Sequence, residues 1–320
     1  MVYESFLNSL TEQLQHELGD GYQISIRRIP KNNGVTLDGL CILSDEFPMS
    51  PAVYLNSYFE QYEQGMTLDD IIRDILNLYR TTAIPAPISS AEFSHLELFQ
   101  SKIMFKLIHA ESNKELLNDI PHIRYLDLAV VFYLYLDHSV SGQLTALIHK
   151  EHMNRWNIKV KDLWQFALAN TPLAFPAEIR SMAELMKEIA QEHLGDEFDE
   201  ELIDALLVNE DEVSPLYVLS NLSGLNGAAC MLYRNILKDF ADSIGSDLII
   251  LPSSIHEVLI TPNSSGASYE DLSNMVTAIN RHEVPPEDQL SNQVYLYTRD
   301  NDRIRIVSHG SAAVGAAAMN

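Results

Sequence analysis

A nine-residue apolar run from Leu128 to Leu136 is the strongest constraint that this sequence places on its fold. Aspartates stand at both ends of the run, Asp127 before it and Asp137 after it. A transmembrane helix needs about 20 consecutive apolar residues, so the run is too short to cross a bilayer. A short, bounded apolar run rich in β-branched and aromatic residues is typical of a buried strand. We therefore predict a buried strand at this position.

The first 82 residues are predicted to form a module of a helix, a hairpin and a helix pair. Apolar residues between Phe6 and Leu18 recur at helical spacing. Alternating apolar residues on either side of Asn33-Gly34 predict a β-hairpin. Ser50-Pro51 and Thr67 are typical of helix starts, and they predict the two helices that complete this N-terminal module.

Two further modules are predicted, a middle α/β module at 91–191 and a C-terminal α/β module at 213–309. The first boundary falls in 81–90, which contains two prolines and shows no periodicity. An acidic linker at 192–212 separates the later modules, and a flexible tail follows at 310–320. The overall prediction is an α+β fold with mixed sheets and flanking helices, organised in two or three subdomains.

Hydrophobic periodicity in the two later modules predicts strands and helices in alternation. The predicted strands are 103–108, 128–136, 144–148, 216–219, 228–232, 248–251, 257–260, 294–297 and 304–307. The predicted helices are 115–117, 160–169, 178–190, 235–244 and 269–280.

The charge of the chain restricts its partners. It carries 45 acidic residues against 21 Lys and Arg, a formal charge of -24. This charge repels phosphate backbones and anionic lipid surfaces over a Debye length, about 8 Å in physiological salt. We therefore predict no direct nucleic-acid binding and no membrane association. The first ten residues lack the basic start and apolar run of a secretory signal, so we predict a cytoplasmic protein.

Side chains that could hold a metal or a cofactor lack the required spacing. His149 and His152 are three residues apart, without the His-Glu-x-x-His order or a third ligand. Cys41 and Cys230 lie in separate apolar contexts that are typical of buried free thiols. The carboxylates of 192–212 do not follow the spacing of a calcium-binding loop. No metal and no cofactor is predicted.

Four strings of the sequence resemble a known family. They are 33–40, 51–56, 221–233 and 251–258. The family is an uncharacterised bacterial family of roughly this length, classed only as a domain of unknown function and common in gut Firmicutes. The resemblance extends over nearly the whole chain and implies an intracellular bacterial protein. It carries over no catalytic residue, ligand or cofactor.

The strongest candidate for chemistry is a polar segment that follows the apolar strand predicted just before it, where side chains can reach a cleft. Ser253 or Ser254 is the candidate nucleophile and His256 the candidate base. A serine nucleophile also needs a third group that orients the base, which is either Glu257 or a carboxylate from another segment. A hydrogen-bonded turn between two strands is the competing interpretation.

Three functions remain open from the sequence. The lack of a complete catalytic motif and the strong negative charge favour a binding or regulatory protein whose acidic surface engages a basic protein partner. The first alternative is a hydrolase that uses Ser253 or Ser254 with His256. The second is a DNA-mimicking inhibitor, which requires two rows of carboxylates at phosphate-like spacing.

Overall fold

The computed structural model describes residues 2–44, 52–81, 94–139, 142–194, 215–263 and 268–308. The helices are α1 (Tyr3–Leu18), α2 (Leu55–Glu63), α3 (Leu68–Thr81), α4 (Lys114–Leu117), α5 (Lys150–Trp156), α6 (Val160–Ala174), α7 (Met182–Leu194), α8 (Ile236–Ile244) and α9 (Tyr269–His282). The strands are β1 (Tyr22–Pro30), β2 (Thr36–Ser44), β3 (Val53–Tyr54), β4 (Ile103–His109), β5 (His122–Tyr125), β6 (Leu128–Ser139), β7 (Gly142–Leu147), β8 (Ala177–Ser181), β9 (Tyr217–Asn221), β10 (Leu248–Leu251), β11 (Val258–Pro262), β12 (Tyr295–Thr298) and β13 (Arg303–Ile306). Short 3-10 helices occur at Asn32–Gly34, Leu96–Leu98, Gln100–Lys102 and Gly227–Leu232. Across these ranges, every helix is too short or too polar to cross a bilayer.

The fold is α+β, as predicted, and the chain divides into two compact units. The first unit is Met1–Lys102 with Leu134–Leu147, and the second is Ile103–Tyr133 with Ile148–Asn320. Strand β6 therefore contributes residues to both units. The predicted boundary at 81–90, apart from Thr81, lies outside the described residues, as do the predicted tail at 310–320 and most of the predicted linker at 192–212.

The first unit contains the predicted helix and hairpin. Strands β1 and β2 pair in antiparallel register from Tyr22 with Ser44 to Pro30 with Thr36. Asn33 adopts a left-handed φ of 58° at the turn between them, a conformation that asparagine tolerates better than most residues. Helix α1 buries one face against α2, α3 and the hairpin. The fully buried residues of this core include Phe6, Leu10, Leu14, Leu40, Leu55, Ile71 and Ile75.

The second unit contains a six-stranded sheet and a second sheet built around β6. The six-stranded sheet has the order β13-β12-β10-β11-β9-β8, and every neighbouring pair is antiparallel. In the other sheet the order is β4-β6-β5; β7, which belongs to the first unit, also pairs with β6. The apolar run forms β6 as predicted, with residues 128–134 buried. Side chains on both faces of this part of the strand are buried, which explains why it contains no charged residue.

Three local predictions are wrong. Residues 228–232 form a 3-10 helix instead of a strand, because the chain turns directly after Gly227, where it packs closely against the backbone of His256. Residues 178–181 belong to β8 instead of a helix, since their backbone pairs with β9. Val53 and Tyr54, expected on a helix, pair with β2, and α2 begins at the next residue. The predicted helix start at Ser50-Pro51 lies outside the described residues.

The Asp127 carboxylate links the two sheets of the second unit. Asp127 follows Leu126 in the β5–β6 turn, and Leu126 has an unusual positive φ of 55°. Its Oδ2 accepts a hydrogen bond of 2.6 Å from the Ser291 hydroxyl, and its Oδ1 accepts one from the Tyr295 hydroxyl. Ser291 and Tyr295 are both buried, so neither hydroxyl has water as an alternative partner. The backbone oxygen of Asp127 also accepts from Ala110 N at 2.9 Å.

We expect Asp127→Ala to lower the free energy of unfolding by about 2–4 kcal/mol, because two buried hydroxyl donors lose their charged acceptor. Denaturant titration measures this loss. When Tyr295→Phe is added, the combined loss should be smaller than the sum of the single losses, since both changes remove one shared bond.

Asp300→Ala is the matched control, because Asp300 is an exposed aspartate in the β12–β13 turn. Its effect should stay within about 0.5 kcal/mol. Equal losses for Asp127→Ala and Asp300→Ala would show that the Asp127 bonds do not stabilise the unit.

Candidate functional site

The predicted polar segment connects β10 to β11 in the second unit, and it lies against the segment 288–291. An isolated β-bridge joins Ser254 to Gln289. Three backbone hydrogen bonds also join the segments, from Ile255 N to Asp288 O at 2.8 Å, from Leu290 N to Ser253 O at 2.9 Å and from Ser291 N to Pro252 O at 2.8 Å. Backbone hydrogen bonds therefore fix the polar segment against 288–291, and with it the direction of its side chains.

The two candidate serines occupy different environments. Ser253 is only 9% exposed. Ser254 is partly exposed, and its Oγ accepts a hydrogen bond of 3.0 Å from the backbone N–H of His256. This is a local serine turn of the kind that stabilises loops. Within the described ranges, no hydrogen bond joins either serine hydroxyl to the ring of His256.

The ring of His256 has a polar partner at each nitrogen. Nδ1 accepts a hydrogen bond of 3.3 Å from the backbone N–H of Asn226. Nε2 lies 3.2 Å from Oδ1 of Asp288, with both side chains about 30% exposed. An amide that donates to Nδ1 requires the neutral ring to carry its proton on Nε2, facing Asp288. Before His256 can take a proton from a serine, Nδ1 must therefore be released from Asn226.

The carboxylate beside His256 comes from Asp288 and not from its neighbour Glu257. Asp288 lies 32 residues further along the chain and follows two prolines, whose turn brings it back to the polar segment. Glu257 is exposed, and within the described ranges its side chain forms no hydrogen bond or ion pair with the ring of His256, whose partners are Asn226 and Asp288. The sequence pattern located the histidine. The partner of the histidine could have been sought in a turn signal that ends in acidic residues, Pro285-Pro286-Glu287-Asp288.

The loop that holds His256 at Nδ1 is a tight turn over 221–227. The Asn221 side chain donates to Leu225 O at 2.9 Å and accepts from Ser223 N at 2.9 Å. Gly224 and Asn226 both adopt positive φ, at 68° and 54°. Side-chain bonds at its base and left-handed residues near its tip thus define the conformation of this loop.

Gly227 lies where the loop meets the polar segment. A Cβ at this position would lie 2.1 Å from Ser220 Oγ and 2.3 Å from the backbone oxygen of His256. Ser220 Oγ itself donates to that oxygen at 2.7 Å. Only glycine allows the two backbones to approach this closely.

We expect Gly227→Ala to destabilise the second unit by about 1–3 kcal/mol, because the new methyl group overlaps a backbone oxygen that cannot move freely. Thermal unfolding and the NMR shift of the His256 ring test this. Gly224→Ala is the control for backbone strain, since Gly224 has a positive φ but open space around it. If Gly227→Ala costs no more than Gly224→Ala, the close approach is not a constraint.

A second polar cluster, which the sequence analysis did not predict, surrounds Asp127. Nε2 of His109 lies 3.9 Å from Oδ2 of Asp127, too far for a hydrogen bond. Nδ1 of His109 accepts from Ser112 N at 3.3 Å. The neutral ring therefore presents its Nε2 proton toward Asp127. Burial and the nearby Asp127 carboxylate raise the pKa of Tyr295 well above its usual value, so its hydroxyl remains a donor.

The two histidines considered for metal binding are engaged in structural contacts. At the start of α5, His152 Nδ1 accepts a hydrogen bond of 3.1 Å from the His149 amide. Nδ1 of His149 lies 2.5 Å from Oδ2 of Asp119. Burial and His149 lower the pKa of His152. Of the two cysteines predicted to be buried, Cys230 is buried but Cys41 is only partly buried, so that prediction is wrong for Cys41. Burial raises the pKa of the Cys230 thiol to about 12. The described ranges contain no group of three or more side chains that could hold a metal ion.

A groove of 630 Å³ lies between α1 and α3 in the first unit. Ile72 and Leu76 form its apolar floor. Its rim includes Glu12 and Glu17 on α1 and Arg80 on α3. Because negative and positive side chains both line the rim, the groove favours neither a cationic nor an anionic partner.

The second unit thus presents an α+β scaffold in which a histidine–aspartate pair lies beneath an exposed loop. Over residues 3–299 the chain matches the model of a family of unknown function, DUF5688, and it belongs to that family. The predicted resemblance to an uncharacterised family is confirmed at this level. Comparison with the curated proteins and with the solved structures found no match.

Proposed function

We propose that this chain is a cytoplasmic binding or regulatory protein whose acidic surface engages a basic protein partner. The observation that carries the proposal is the excess of carboxylates over cations. Acidic residues exceed Lys and Arg by 24, so most carboxylates have no cation of their own. The net charge accelerates the encounter with a cationic surface and raises the affinity at low salt.

The positions of the carboxylates support this proposal. In the described ranges, the carboxylates that form ion pairs with Lys or Arg include Asp70, Glu111, Glu151, Glu188 and Asp242. Glu12, Glu17 and Glu60 of the first unit are exposed on α1 and α2 without such a pair. Carboxylates on regular helices keep fixed positions, so a partner meets a defined pattern of charge.

Affinity capture at two ionic strengths tests the proposal. The immobilised chain should retain basic proteins from a cell extract at about 50 mM salt and release them at about 500 mM, where the Debye length is only a few ångströms. Mass spectrometry identifies the retained proteins. A set dominated by nucleic-acid-binding proteins would narrow the proposal to DNA mimicry.

Two variants provide matched comparisons. One carries Glu12→Gln, Glu17→Gln and Glu60→Gln in the first unit. The other carries Glu178→Gln, Glu257→Gln and Glu283→Gln in the second unit. At least one variant should retain less of the basic set at low salt. The proposal fails if the retained proteins are acidic or neutral, or if their retention does not depend on salt.

A hydrolase is the second candidate, and the pairing of His256 with Asp288 favours it. A histidine oriented by a carboxylate from another segment supplies two members of a serine triad. Ser254 is the more accessible serine, and its Oγ already contacts the backbone of His256. Chemistry requires the Asn226 amide to leave Nδ1 and a serine hydroxyl to replace it.

Hydrolysis of a panel of nitrophenyl esters tests this candidate. If His256 is a base, His256→Ala and Ser254→Ala should each lower the rate by about 100-fold or more. Ser223→Ala, in the neighbouring loop, is the control for a change in loop structure and should retain most of the activity. The hydrolase candidate is removed if the wild-type rate equals the buffer rate or if His256→Ala leaves it unchanged.

A further inference from the structure

Three leucines of the second unit are exposed around the connection between α6 and β8. The side chain of Leu173 is 82% exposed, that of Leu222 is 67% exposed and that of Leu225 is 40% exposed. Leu173 lies in the last turn of α6, and Leu222 N donates to Pro176 O at 3.1 Å. The leucine surface is defined here as Leu173, Pro176, Leu222 and Leu225. A group of exposed apolar side chains from separate elements is typical of a contact surface.

The loop that carries two of these leucines is held in one conformation. Asn221 bonds to both arms of the loop, and Asn226 donates to the ring of His256 at 3.3 Å. Gly227 packs directly against the backbone of the polar segment. A loop already ordered in this way loses little conformational entropy when a partner covers it. Leu222 and Leu225 are therefore exposed to solvent on a loop whose conformation is pre-organised for binding.

Three carboxylates, called the frame here, lie on segments that adjoin the leucine surface: Glu178, Glu257 and Asp288. Glu178 is exposed on β8 and lies opposite Ser220 of β9. Ser220 Oγ bonds to the backbone of His256, which precedes the exposed Glu257. In the described part of the chain, neither glutamate forms an ion pair with Lys or Arg, and Arg180, the cation nearest in sequence, is paired with Glu188. Asp288 completes the frame beside His256.

We propose that the leucine surface is the docking site for a basic amphipathic helix of a protein partner. Apolar anchors within a frame of carboxylates match a helix with leucines on one face and Lys or Arg beside them. A second copy of this chain would place carboxylates against carboxylates, and an anionic lipid surface would be repelled in the same way. The inference rests on the proposed function, because it names where and how the basic partner binds.

A synthetic peptide of about 16 residues, or roughly four helical turns, is the probe. It carries leucines at i, i+3, i+4 and i+7 spacing, lysines at the remaining positions and a fluorescent label. Fluorescence anisotropy measures its affinity. The double variant Leu173→Ser and Leu222→Ser should weaken binding by about tenfold or more, because it removes the two most exposed apolar anchors.

Met275→Ser is the matched control, since Met275 is an apolar residue 44% exposed on α9. It should change the affinity by less than about twofold. Glu178→Gln with Glu257→Gln should weaken binding by about fivefold and reduce its salt dependence, whereas Glu12→Gln with Glu17→Gln should not. Circular dichroism checks that each variant folds, which we expect because the substituted side chains are exposed.

The proposal is overturned if the leucine variant binds the peptide as tightly as the Met275 variant does. If that variant also retains basic proteins in affinity capture as well as the wild type, the proposed function stands and its docking surface lies elsewhere. If the wild type binds neither the peptide nor basic proteins, both proposals fail.

Discussion

The architecture of the second unit depends on a carboxylate that is stabilised by hydroxyl groups and not by a cation. Asp127 receives hydrogen bonds from Ser291 and Tyr295, which lie on the side of the six-stranded sheet, while its own backbone belongs to the turn of the other sheet. The raised pKa of Tyr295 keeps the phenol protonated, so this donor does not fail at high pH. Leu126 adopts a left-handed conformation that costs about 1 kcal/mol. This conformation directs the next residue, Asp127, toward Ser291 and Tyr295.

His256 also depends on a few specific contacts, and these contacts determine which chemistry the site can perform. The Asn226 amide donates to Nδ1 of His256, and the Asp288 carboxylate lies beside Nε2. These contacts define the tautomer of the neutral ring, and they also hold the loop that contains Asn226 in place. A catalytic base needs a free lone pair, whereas a histidine that organises a loop needs its partners in place. The arrangement therefore favours presentation of the loop, and chemistry requires a rearrangement first.

The elements that could be predicted are those with a local signal. The apolar run of β6, the β1–β2 hairpin and α1 follow from periodicity and turn residues within a few positions. The 3-10 helix at Gly227–Leu232 was missed because Gly227 is required by its close approach to the backbone of His256, which is distant in sequence. The pair His256–Asp288 and the bond from Tyr295 to Asp127 join positions far apart in the chain. A single sequence gives no measure of such contacts.

The division of β6 between the two units has a consequence for how the chain is made. Residues 134–147 belong to the first unit, but they emerge from the ribosome only after the start of the second unit. The second unit is interrupted in turn, so neither can be completed strictly before the other has begun. A single cut after residue 102 would leave both units incomplete.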